Sequence, residues 1–96
     1  MNVPRMTPLQ FAILTLISTE IKGEELRNKL KKFYGIEEFG PKFYQLMDRL
    51  ETLRWISSRF EQKVINGQIM REKFYRITEH GLLALVATRE FYNANR

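Results

Sequence analysis

The side chains that could do chemistry here argue against catalysis. His80 is the only histidine and there is no cysteine. A lone imidazole cannot build a metal cluster, and neither a thiolate site nor a cysteine nucleophile can form. No carboxylate pair, Ser/His arrangement or glycine-rich phosphate loop stands out from the helical pattern, so the sequence calls for no enzymatic activity, no cofactor and no metal. What remains is charge. Residues 54 to 77 hold six basic side chains (Arg54, Arg59, Lys63, Arg71, Lys73, Arg76) against Glu61 and Glu72, whereas residues 1 to 53 hold eight Lys/Arg against seven Asp/Glu. Four of the five excess positive charges therefore lie in one short segment. Such a run suits an anionic partner, although a solvated basic face is the competing account.

The chain of 96 residues is expected to form one domain, with room for a single core. Thr7, Pro8 and Gln10 make a helix start, with a cap, a proline at the first helical position and a capping-box partner. This helix should run to about Ser18. Its apolar residues, from Leu9 to Ile17, point in nearly every direction, which places it at the centre of the core or shares it with a second subunit. After a break at Ile21 to Gly23, Leu26, Leu30 and Phe33 share one face of a second helix over Glu24 to Phe33, with Lys29, Lys31 and Lys32 near its C-terminal end. Gly35 ends it. Gly40-Pro41 opens a third helix that carries Phe43, Leu46, Met47, Leu50 and Leu53 inward.

The period then changes. Ile56 to Ile65 and Gln68 to Ile77 are rich in strand formers and flank Asn66-Gly67, the strongest short-range signal for a type I′ hairpin. Pairing Ile65 with Gln68 sets Ile56 opposite Ile77 and Ser58 opposite Tyr75, with Phe60 and Val64 on the same face. Ten residues per strand at about 3.3 Å each make an arm of about 30 Å, longer than a small helical bundle covers, so its distal half should project. Thr78 caps a last helix over Glu79 to about Asn95, whose Leu82, Leu83, Leu85, Val86, Phe91 and Tyr92 exceed what one core needs. The predicted fold is mainly α with a small β-hairpin. Its order is that of a winged helix-turn-helix, with core and wing over 7–77 and a terminal helix over 78–95.

Three stretches carry a family resemblance. Thr7-Pro8-Leu9-Gln10-Phe11-Ala12-Ile13-Leu14 with Lys22-Gly23-Glu24-Glu25-Leu26, then Phe43-Tyr44 with Arg49-Leu50-Glu51, then Phe74-Tyr75-Arg76-Ile77-Thr78-Glu79-His80-Gly81 resemble the PadR family of transcriptional regulators over residues 7 to about 85. Two features depart from it. Arg54 stands where the family usually has a glycine, and Val64-Ile65-Asn66-Gly67-Gln68-Ile69-Met70 replaces a basic-proline cluster at the wing. The resemblance implies a transcription factor, commonly a repressor, that dimerises through its terminal helix with help from the first and binds a pseudo-palindromic operator in double-stranded DNA. Some members respond to phenolic or drug-like ligands; no residue of this sequence identifies an effector.

On the third helix, Lys42, Tyr44, Gln45, Asp48, Arg49 and Thr52 are left outward. Lys42 and Gln45 lie one turn apart near the N-terminal end, where such helices reach base edges, and the Gln45 amide could read adenine. Tyr44 matches the family's tyrosine and could donate to a phosphate, or lie half-buried against the second helix. Arg49 could meet DNA or pair with Asp48 or Glu51. On the wing, Lys63, Arg71 and Lys73 are best placed for phosphates. Leu82, Leu85, Val86, Phe91 and Tyr92 are the expected homodimer face. Val64, Ile65, Ile69 and Met70 would leave the wing tip apolar, for a partner chain or a minor groove; hence an alternative function, a winged-helix module that binds a protein partner. Trp55 is read as a core residue at the junction of helix and wing, and His80 as solvated. With no apolar run of roughly 18 residues and no signal peptide, the expected location is cytoplasmic, away from membranes.

Overall fold

A computed structural model describes residues 6–35 and 40–94. The elements run α1 (Pro8–Leu16), β1 (Ile21–Lys22), α2 (Gly23–Tyr34), α3 (Gly40–Thr52), β2 (Ile56–Ile65), β3 (Gln68–Ile77) and α4 (Glu79–Ala94). The expected winged helix-turn-helix order is present. At the head of α1, the Gln10 amide donates to the Thr7 hydroxyl oxygen at 3.1 Å and the Thr7 amide donates to the Gln10 side-chain oxygen at 3.0 Å, the reciprocal pair of a capping box. The helix closes at Leu16, short of Ser18, with Ile17 as its cap. Gly35 takes a left-handed φ of 66° and ends α2.

Ile13, Leu14, Ile17, Leu26, Leu30, Phe43, Met47 and Leu50 are wholly buried, and Ile56, Tyr75, Ala84 and Leu85 close the core from the strand and terminal-helix side. Two residues expected inside are not there. Phe33 lies on the buried face of α2 by spacing but one position before the helix ends, beyond the last buried residue, Leu30, and is 61% exposed. Leu53 is exposed because α3 has already ended and the chain is turning.

That turn is a Schellman motif. The Trp55 amide donates to the Leu50 carbonyl and the Arg54 amide to the Glu51 carbonyl. The motif needs a left-handed residue, and Arg54 supplies it with φ 62°. A glycine would adopt this conformation without a Cβ penalty. From the same turn hangs α4. The Thr78 hydroxyl donates to the Arg54 carbonyl at 2.6 Å and accepts the Gly81 amide at 3.0 Å, while the Thr78 amide donates to the Trp55 carbonyl at 3.0 Å. Helix and turn approach so closely that a Cβ on Gly81 would stand 2.0 Å from the Trp55 carbonyl oxygen. Trp55 itself packs partly buried against the core, as expected of a junction residue.

The hairpin has the predicted register from Ile56 opposite Ile77 to Ile65 opposite Gln68, and Asn66 and Gly67 turn it with φ 51° and 77°. The break foreseen at Ile21 to Gly23 is in fact a short strand. Ile21 pairs with Tyr75 and Lys22 with Phe74, making a three-stranded antiparallel sheet in the order β1-β3-β2. Charge fastens this edge. Arg59 bonds Glu20 through Nε at 2.9 Å, and Lys22 reaches Glu72 at 3.4 Å. The hydrogen bond from Arg59 holds the Glu20 carboxyl below the usual carboxylate range. Burial pushes Glu72 up, but hydrogen bonds from Lys63 and Lys22 outweigh it and the net shift is down. Beyond these anchors the arm leaves the body, giving extents of 54 × 27 × 21 Å. No described helix is long and apolar enough to cross a membrane.

Three outcomes follow from these contacts. Gly81→Ala should cost about 3 kcal/mol in urea unfolding, because backbone must move to admit the methyl group. Arg54→Gly should raise stability by about 1 kcal/mol by the same measurement, the left-handed position being relieved. The stabilisation from Glu20 and Glu72, whose folded pKa values lie below normal, is complete above about pH 4.3 and is lost as pH falls through the folded values. Thermal midpoints between pH 7 and pH 3 should therefore fall further for the parent than for a Glu20→Gln, Glu72→Gln variant.

Candidate nucleic-acid interface

Helix α3 is amphipathic. With Phe43, Met47 and Leu50 buried, it turns Lys42, Tyr44, Gln45, Asp48, Arg49 and Thr52 to solvent, as expected. At 100° per residue Lys42, Gln45 and Arg49 fall within about 60° of one another and form a single stripe. Among the described residues no ion pair engages Lys42 or Arg49, so Arg49 does not make the bond to Asp48 or Glu51 that was its alternative. Thr52 is turned back, its hydroxyl donating to the Asp48 carbonyl at 3.0 Å.

Tyr44 occupies the other flank, half-exposed, its ring edge-on to Phe43 at 5.3 Å. That flank adjoins the root of the wing. The Tyr75 hydroxyl is pushed up to about 12, first by burial and then by the negative charge of Glu51, with Tyr44 and Asp48 contributing. Arg27 of α2 sets its guanidinium 5.7 Å from the Phe43 ring, beside the start of α3. Sequence reasoning did not single out this cation, because nothing local to α2 shows that its flank meets α3.

The two faces of the wing differ in charge. Strand alternation puts Phe60, Gln62, Val64, Ile69, Arg71 and Lys73 on the face that continues from Ile56, Ser58, Tyr75 and Ile77, and Arg59, Glu61, Lys63, Met70, Glu72 and Phe74 on the other. On this second face Arg59 and Lys63 are paired with acids, while Arg76 at the root has no ion-pair partner among the described residues. Arg59 pairs with Glu20 and with Glu61 at 2.7 Å, and Lys63 reaches Glu72 at 3.3 Å. On the first face no carboxylate engages Arg71 or Lys73 among the described residues; they lie over the Phe60 ring at 4.3 and 5.3 Å. The three wing residues expected to meet phosphates are thus divided. Arg71 and Lys73 present uncompensated charge on one side, and Lys63 is held by an acid on the other.

The terminal helix leaves Leu82, Val86, Phe91 and Tyr92 exposed, together with Leu83. Leu85 is a correction to the expected dimer face. It is 2% exposed, since α4 seats Gly81, Ala84, Leu85 and Thr88 against the body, and so it belongs to the protomer's own core. Phe11 of α1 meets Tyr92 edge-on at 6.2 Å and extends the exposed patch to α1. The wing tip is as apolar as expected, with Val64 73% and Ile69 70% exposed. Among the described residues no group of three His, Cys, Asp or Glu side chains could hold a metal ion.

No family model matches the sequence, and no curated protein matches it. Solved structures do. A PadR-like transcriptional regulator from Bacillus cereus is 27% identical, with a TM-score of 0.73 over 90% of this chain and 82% of that one. A PadR family transcriptional regulator from Eggerthella lenta is 24% identical, with a TM-score of 0.74 over 90% of this chain and 72% of that one. Bacillus subtilis PadR, solved in complex with operator DNA, is 24% identical with a TM-score of 0.68, and the match takes 83% of this chain and 46% of the larger protein. The resemblance carried by the three sequence stretches thus extends to the arrangement of helices and wing, and the chain has the winged-helix fold of these PadR-like regulators.

Proposed function

We propose that this chain binds double-stranded DNA sequence-specifically as a homodimeric transcriptional regulator, acting as a repressor. The observation that carries the reading is the distribution of uncompensated cations. Among the described residues Lys42 and Arg49 on α3, and Arg71 and Lys73 on one wing face, are free of acidic partners, while Arg59 and Lys63 on the opposite wing face are paired with carboxylates. Phosphate contact requires charge that carboxylates have not already cancelled. In this reading the Lys42 and Gln45 stripe enters the major groove, Tyr44 and Arg49 steady the helix on the backbone, and Arg71 and Lys73 meet the phosphates beside it. Lys63 has a secondary place, since it must leave Glu72 to contribute. The operator complex of Bacillus subtilis PadR, a protein of the same fold, supports DNA as the partner. The homodimer is assigned to the exposed residues of α4, Leu82, Leu83, Val86, Phe91 and Tyr92, with Phe11 of α1.

A second reading is favoured by one observation, the exposure of Val64 and Ile69 at the wing tip. Apolar side chains held out on an arm suit a protein partner better than a phosphate backbone. The two readings part on salt. DNA affinity carried by several Lys/Arg falls steeply as salt rises, and an apolar contact changes little.

Selection from random duplex DNA, followed by binding titrations at several salt concentrations, tests the proposal. The parent chain should enrich a two-fold symmetric site and sediment as a dimer at micromolar concentration. Lys42→Ala with Gln45→Ala should abolish binding to that site and leave the dimer intact. Failure to enrich any half-site, or normal binding by the double variant, would overturn the assignment of α3 as the reading helix.

A further inference from the structure

Phe60 is not accounted for by packing. It lies on the wing between the Arg59 and Glu72 anchors, 53% exposed, outside the buried core. Across the sheet Lys73 is its register partner, and Arg71 is the diagonal neighbour on the same face. Both cations lie against the ring, Arg71 at 4.3 Å and Lys73 at 5.3 Å from its centroid, with Lys73 set between it and the Tyr75 ring, also at 5.3 Å. On the other face Arg59, which also lies over the Phe74 ring at 4.6 Å, is paired with Glu20 and Glu61, and Lys63 is paired with Glu72. A carboxylate fixes a cation and cancels its charge in the same bond. An aromatic face attracts the cation through its quadrupole and leaves the net charge intact.

We propose that Phe60 is a positioning residue of the wing, holding Arg71 and Lys73 side by side without neutralising them so that both are ready to meet successive phosphates. The inference rests on the DNA-binding reading above. Two long side chains that would otherwise sample many rotamers are partly ordered before the encounter, and less freedom is lost on binding. The cluster adds no base recognition, so its effect falls equally on specific and non-specific duplexes.

The test uses the full chain and fluorescence anisotropy with a labelled duplex, across a salt series. Phe60→Leu should weaken binding about fivefold per wing, with an unchanged dependence of log affinity on log salt, because every charge is still present. Phe60→Trp should restore the parent affinity. Arg71→Ala with Lys73→Ala should lower that salt slope by about 1.8 per wing, about 3.6 for the dimer, and adding Phe60→Leu to this pair should weaken binding no further. A thermal midpoint of Phe60→Leu equal to the parent's separates positioning from folding. The proposal is overturned if Phe60→Leu binds like the parent while the Arg71, Lys73 pair weakens binding. It is also overturned if Phe60→Leu costs as much in the pair's background as alone, which would make the ring itself a contact. If the parent chain binds no duplex at all, the DNA-binding reading fails and takes the positioning role with it.

Discussion

Arg54 and Trp55 form the joint on which the layout depends. Their carbonyls receive the Thr78 hydroxyl and amide. Through that pair of bonds the end of α3, the beginning of β2, the end of β3 and the first turn of α4 meet within a few residues. The hydroxyl also caps α4 through the Gly81 amide, so one side chain both starts a helix and ties it to the preceding turn. Gly81 lets the surfaces close without an intervening methyl group. The wing, the reading helix and the terminal helix thus share an origin, and the angle of the wing to α3 is set at the joint, where the backbone is fully bonded.

The elements were legible where local chemistry decides them. The capping box at Thr7 and Gln10, Gly35 after α2 and Asn66-Gly67 in the hairpin all act within four residues, and each is where its composition places it. The register followed from the turn alone, because a two-residue loop leaves no freedom in the pairing that follows. Non-local facts were less legible. Ile21-Lys22 is too short to show a period and becomes a strand only because β3 runs beside it. Leu85 reads like its neighbours on α4 until the body of the protein is known to lie on that side. Phe33 has the right spacing and simply outruns the core.

The candidate interface divides in the same way. That Lys42, Gln45 and Arg49 share a stripe is a matter of helical period, and their exposure was foreseen. Which wing cations are free was not foreseen, since it depends on Glu20 and Glu72. Glu20 comes from before β1 and reaches Arg59 only after the sheet has formed, 39 residues further along the chain. Counting charges over residues 54 to 77 located the basic segment; its sidedness arises from acids, one of which lies outside that segment.

Sidedness of this kind obeys parity. The free pair, Arg71 and Lys73, and the neutralised pair, Arg59 and Lys63, lie on opposite sides of the ribbon because successive residues of a strand face opposite ways, and the count starts at the root, where Ile56 and Tyr75 are buried. Inserting one residue into each strand between the buried root and the pair of Phe60 and Lys73 would send Arg71 and Lys73 to the face now occupied by Glu61 and Glu72, with composition and net charge almost untouched. Inserting two would lengthen the arm and keep its sides. The length of this wing can therefore drift freely only in steps of two, a constraint written in neither residue type nor charge but in whether a number is odd or even.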